Sequence, residues 1–113
     1  MHEYSIVGAL LEKVAAEADS RHATAVRSLS VRIGELSGVE ASLLASAYEL
    51  FRQGTLCENA PIRIESVPAR WECRACGREI ARGERLSCPL CSEPAKLVGG
   101  DEILLQRIEM EVP

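Results

Sequence analysis

The sequence predicts an α/β fold. A small three-stranded sheet carries two helices, and a four-cysteine, zinc-ribbon-like module is inserted before the last strand. Three observations lead there. Apolar residues recur at helical spacing in two stretches, they alternate in three others, and two Cys-x-x-Cys pairs stand eleven residues apart in the second half of the chain. At 113 residues, 47% hydrophobic and 27% charged, the chain suits one domain with a small additional module.

The first helix is expected over 4–18, where Val7, Leu10, Leu11, Val14 and Ala18 fall on one face. Glu3 lies near its start, where the helix dipole favours a negative charge. A polar connection over 19–24 follows and contains His22, read as a surface residue. Residues 25–33 switch to period two, with Leu29, Val31 and Ile33 opposite Ser28, Ser30 and Arg32, which makes a half-buried strand ended by Gly34.

Ser37-Gly38-Val39-Glu40 fits a capping box for the second helix. That helix carries Leu43, Leu44, Ala47, Tyr48 and Phe51 on one face and stops at Gly54. A short strand over 61–67 places Ile62 and Ile64 together. A longer one over 102–112 places Leu104, Ile108, Met110 and Val112 on a common side.

Cys73-Arg74-Ala75-Cys76 and Cys88-Pro89-Leu90-Cys91 supply four soft donors for a tetrahedral zinc ion. Each pair makes a tight turn that aims two sulfurs at one point, and Gly77 and Pro89 suit such turns. Four thiolates fill the coordination shell, so this zinc is structural, not catalytic. A redox dithiol would need its Cys-x-x-Cys in a βαβ context that is missing here. Cys57 has no Cys-x-x-Cys partner and reads as a buried or loop thiol, while Trp71 is expected to pack beside the zinc turns or the neighbouring domain.

Charge separates the same two units. Residues 70–97 hold six basic and four acidic side chains, whereas the rest of the chain holds seven basic and thirteen acidic ones. The division expected is a body of 1–69 with 98–113 and a zinc-binding module of 70–97. An acidic body, with no aromatic residues interleaved among the module's arginines, argues against nucleic acid as a partner. Catalysis is not expected, because no nucleophile–base pair stands out and Gly99-Gly100 alone cannot cradle a phosphate. No apolar run approaches the roughly 18 residues of a membrane span. Met1-His2-Glu3-Tyr4-Ser5 also lacks the order of a signal peptide, so a cytoplasmic protein is expected.

His2 allows two readings. One is an exposed residue at a chain end. The other is a metal ligand: the Met1 α-amine, the deprotonated amides of His2 and Glu3, and the His2 imidazole could offer four nitrogens in a plane. Such a set suits Ni²⁺ or Cu²⁺ and suits Zn²⁺ poorly.

Met1-His2-Glu3 at a helix start, the two Cys-x-x-Cys pairs, the segment Arg32-Ile33-Gly34-Glu35-Leu36-Ser37 and the closing Gln106-Arg107-Ile108-Glu109 together resemble the HypA/HybF family of nickel metallochaperones. The resemblance covers essentially the whole chain. It implies a nickel-binding α/β domain, with His2 as the nickel-binding histidine and the N-terminal amine and nearby backbone amides as co-ligands. It also implies structural zinc at Cys73, Cys76, Cys88 and Cys91. The cargo would be Ni(II), delivered to the NiFe-hydrogenase large-subunit precursor with the GTPase HypB, and in some organisms to urease through its accessory proteins. Histidines that flank the zinc cysteines in some members are missing here. The competing reading is a zinc-ribbon module that docks nucleic acid or a protein complex through its basic segment. A thiol oxidoreductase is a third.

Overall fold

The computed structural model describes residues 2–81 and 83–113; Met1, Arg82 and the His2 side chain lie outside the described residues. Among the described residues, two helices and six strands follow in chain order: α1 (His2–Ser20), β1 (Ala25–Gly34), α2 (Ala41–Phe51), β2 (Ile62–Val67), β3 (Arg70–Cys73), β4 (Glu79–Ile80), β5 (Ala95–Gly99) and β6 (Ile103–Glu111). They build two three-stranded sheets, β2-β1-β6 and β4-β3-β5, in a molecule extending 56 × 28 × 17 Å.

α1 buries Val7, Leu10, Val14 and Ala18, with Leu11 partly covered. It runs two residues beyond the expected span at each end. The apolar period that locates a helix carries no signal through Asp19 and Ser20, whose turn is held by the Ser20 hydroxyl donating to the Glu17 carbonyl at 2.9 Å.

β1 is the centre of the first sheet, parallel to β2 through the α2 crossover and antiparallel to β6. Leu29, Val31 and Ile33 face the helices, as the alternation predicts. Val26 joins them three residues before Leu29, because a bulge between Val26 and Ser28 shifts the pleat by one residue. A second irregularity pairs Ser30 with Arg107 and Val31 with Leu105, leaving Gln106 as the extra residue of β6. It reverses the expected side for the residues of β6 that precede the bulge. Ile108 and Met110 pack on the core as expected, joined by Ile103 and Leu105, whereas Leu104 is about half exposed because period-two counting cannot cross the bulge unchanged; Val112, also about half exposed, lies beyond the end of β6.

α2 starts without the capping box. Gly38 adopts φ +81, which no residue in a first helical turn can have, so the Ser37 hydroxyl instead accepts from the Val39 amide at 3.3 Å. Extended Glu40 precedes the helix with no side-chain cap. Leu44, Ala47 and Tyr48 are buried, but Leu43 stands 49% exposed, one helical step outside the buried arc. Phe51, 39% exposed, lies against the ring of Tyr4 with centroids 5.2 Å apart. Gly54, at φ +77, turns the chain after the helix has ended. The Tyr48 hydroxyl donates to the Ala60 carbonyl at 2.7 Å, and Arg52 donates to the same oxygen at 2.9 Å. This pins the loop that carries Cys57 into the core. Burial pushes the Cys57 thiol above its ordinary value, so it stays protonated.

Candidate metal centre

The second sheet exists to present sulfur. β3 ends on Cys73, and β4 and β5 flank it as antiparallel partners, with Trp71 opposite Ile80 and Leu97. Trp71 and Ala95 pack on buried Cys73, Ile80 and Cys88. The aromatic residue therefore packs beside the zinc turns. None of these three strands was legible in the sequence, because runs of two to five residues are too short for alternation to register.

Two matching turns carry the four cysteines. In the first, the Cys73 amide donates to the Arg78 carbonyl at 2.8 Å and the Gly77 amide to the Cys73 carbonyl at 3.0 Å. In the second, the Cys88 amide donates to Glu93 at 2.9 Å and the Ser92 amide to Cys88 at 2.8 Å. Both turns need a left-handed residue after the last cysteine, filled by Gly77 at φ +76 and Ser92 at φ +57. The role of Ser92 was not predicted; its place one residue after Cys91, as Gly77 follows Cys76, was the available signal. The first cysteine of each pair is buried and the second exposed.

All four ligand atoms lie within 4.8 Å of one another, and the Cys76 and Cys88 sulfurs are 3.8 Å apart. Tetrahedral zinc with bonds of about 2.3 Å requires sulfurs about 3.8 Å apart, so the cluster fits the ion. The Ala75 and Cys76 amides each point at Cys73 Sγ, at 3.4 Å. Led by the Cys76 amide, these donors lower the Cys73 thiol to about 7. Cys91 moves the other way, to about 12, because its proton is held among the neighbouring sulfurs, Cys76 first. Four thiols this close cannot all ionise unaided. A divalent cation replaces those protons, so zinc affinity rises with pH and falls as acid reprotonates the thiolates.

The left-handed positions make a direct prediction. A Cβ at Gly77 meets nothing within 4 Å, so the cost of Gly77→Ala is conformational, about 1 kcal/mol. Zinc transfer to a chromogenic chelator should accelerate roughly fivefold in that variant, the factor such a cost implies. Ser92→Gly should match or slow the wild-type rate, since it relieves the same penalty. Equal rates in Gly77→Ala and wild type would show that this geometry does not hold the site.

The other expected site residues are not brought into view. Met1 and the His2 side chain fall outside the described residues, and Glu3 lies in the first turn of α1. His22 is exposed on the turn after α1, at φ +54. Among the described residues, the four cysteines are the only group of three or more potential metal ligands, and no helix is long and apolar enough to cross a membrane.

An α/β body joined to a four-thiolate module of two facing turns defines a small two-sheet metal-binding protein. Over residues 1–110 the chain matches the family described as hydrogenase/urease nickel incorporation, metallochaperone, hypA. The hydrogenase maturation factor HypA of Wolinella succinogenes is 46% identical over 114 residues, spanning 98% of this chain and 96% of its own. That of Nitrosospira multiformis is 40% identical over 112 residues, spanning 97% of each. The solution structure of the Ni metallochaperone HypA from Helicobacter pylori superposes with a TM-score of 0.74 at 29% identity, covering 98% of both chains. A second solution structure, of a HypA protein, gives 0.80 at 30% identity, covering 97% of this chain and 96% of its own. The chain belongs to the HypA family of nickel metallochaperones, which serve hydrogenase maturation.

Proposed function

We propose that this chain carries one Ni(II) at its N-terminus, held by the Met1 α-amine, the amide nitrogens of His2 and Glu3, and the His2 imidazole. Zinc stays at Cys73, Cys76, Cys88 and Cys91 as a structural ion. The body of 1–69 with 98–113 is then the nickel-binding unit and 70–97 the zinc-binding one. The protein works in the cytosol, passes nickel to the hydrogenase large-subunit precursor with HypB as partner, and catalyses no reaction itself.

One observation carries the nickel site. α1 begins at His2. The first four amides of an α-helix have no acceptor within it, so the His2 and Glu3 nitrogens can give up their protons to a metal without breaking a helical hydrogen bond. Metal and helix therefore coexist. Binding must displace protons from amine, amides and imidazole, so nickel affinity should rise with pH and the ion should leave on acidification.

Native mass spectrometry of untagged protein with both metals tests this reading. We expect one zinc and one nickel per chain at pH 7.5, and zinc alone at pH 5.5. Nickel bound only to chains that have lost zinc would place the cargo on the cysteines and refute the N-terminal site.

A further inference from the structure

The two sheets are joined by two crossings of the chain: Pro68-Ala69 between β2 and β3, and Gly100 to Glu102 between β5 and β6. Both crossings lie against the end of β1. The Gly34 amide donates to the Glu102 carbonyl at 2.8 Å, and the Leu36 amide donates to the Gly100 carbonyl at 2.7 Å. The Glu35 amide donates to the Val67 carbonyl at 2.8 Å, and the Glu35 carboxylate accepts from the Ala69 amide at 2.8 Å. Three consecutive residues of one strand end therefore grip both connections.

The grip is closed by two glycines. A Cβ on Gly34 would overlap the carbonyl group of Gly100 and come within 2.7 Å of the Asp101 nitrogen. A Cβ on Gly100 would stand 2.5 Å from the Ala69 Cα and 2.6 Å from the Pro68 oxygen. Gly100 also holds φ +89, which side chains disfavour. Backbone meets backbone here, and neither side can yield as a flexible side chain would. Gly99, next in the chain, is different: a Cβ there meets only the Arg70 Cβ, at 4.0 Å.

We propose that Gly34 and Gly100 form a backbone clasp that holds the cysteine-bearing sheet in one fixed orientation on the helix-bearing sheet. Two covalent crossings alone would make a hinge. Three hydrogen bonds to the crossings and a contact that admits no Cβ make a joint. A cleft of about 240 Å³, walled by Val67, Val98, Leu104 and Arg32, lies beside it and is fixed in shape by it. Any partner that grips both sheets then meets a single preformed surface and need not order two loose bodies on binding.

Residual dipolar couplings on the zinc-loaded full chain test the clasp. One alignment tensor should fit the amides of both sheets in wild type and in Gly99→Ala. Gly100→Ala and Gly34→Ala should each require two tensors, the cysteine-bearing sheet aligning at least twofold more weakly, with one zinc per chain retained. Two tensors in wild type would overturn the clasp, as would one tensor in a folded Gly100→Ala or Gly34→Ala protein. Loss of zinc from either variant would assign the glycines to the fold of the module and equally overturn it. Should neither variant fold, the wild-type couplings still decide.

Discussion

Replacing Cys73 by serine is expected to strip the protein of zinc and melt the cysteine-bearing sheet while leaving the helices intact. The module's own core consists of Cys73, Ile80 and Cys88 with Trp71 and Ala95 against them, and two of its three buried residues belong to the four-cysteine cluster. A unit of this size rarely folds unaided. Zinc coordination supplies on the order of 10 kcal/mol to such modules, far more than three buried side chains can replace. The body has a separate core built from Val7, Leu29, Val31, Leu44 and Tyr48, none of which touches the cysteine turns. Zinc content by elemental analysis should fall from one per chain to near zero. The chain has a single tryptophan, Trp71, so its emission should shift to the red as the module opens. Far-ultraviolet dichroism should keep its helical bands. Cys57→Ser, on a thiol buried in the other core, should leave zinc content unchanged. Zinc loss from Cys57→Ser, or a full complement in Cys73→Ser, would defeat the ligand assignment.

A single residue added before Met1 is expected to abolish nickel binding at the N-terminal site proposed above. The added residue turns the α-amine into an amide and moves the imidazole one place along the chain, so the planar nitrogen set can no longer close around one ion. His2→Ala removes the imidazole alone and should weaken nickel at least a hundredfold, about 2.8 kcal/mol. Zinc content and thermal midpoint should stay within error of wild type in both, because the cysteine cluster lies in the other sheet and α1 is held by Val7, Leu10 and Val14. Calorimetric titration of Ni²⁺ into tag-free wild type, His2→Ala and the extended chain separates the cases. Equal affinity and stoichiometry across the three would remove the N-terminus as the carrier site.

Much of this was legible in the sequence, for reasons that differ by element. α1 and β1 were clear because each buries one face against a single layer, so Val7 to Ala18 and Leu29 to Ile33 keep an undisturbed period. The cysteine cluster was clear because metal geometry fixes residue type and spacing together. β6 was placed correctly, with Ile108 and Met110 on the expected face, but Leu104 was put on the wrong side because the bulge at Gln106 is a backbone event decided by the register with β1, and no side chain in the strand announces it. The capping box failed at Gly38, where the permissiveness of glycine let the chain choose a tight turn over a helical start. The clasp was invisible as well. Gly34 and Gly100 lie far apart in sequence, and only the crossing of two connections over one strand end brings them together.

The order of the strands also sets the order in which the molecule can assemble. β1, the centre of the body sheet, takes β6 as a partner, pairing Val26 with Met110 and Ile33 with Ile103. Every such pairing closes a loop of some seventy residues or more, and long closures come late in folding. The four sulfurs need only the span from Cys73 to Cys91, and the second sheet is complete at Gly99, before β6 begins. A chain emerging from the ribosome can therefore take up zinc while its body sheet still lacks a strand. The metal then shortens the remaining search, since a folded module draws Pro68 and Gly100 together and delivers β6 to the strand that awaits it.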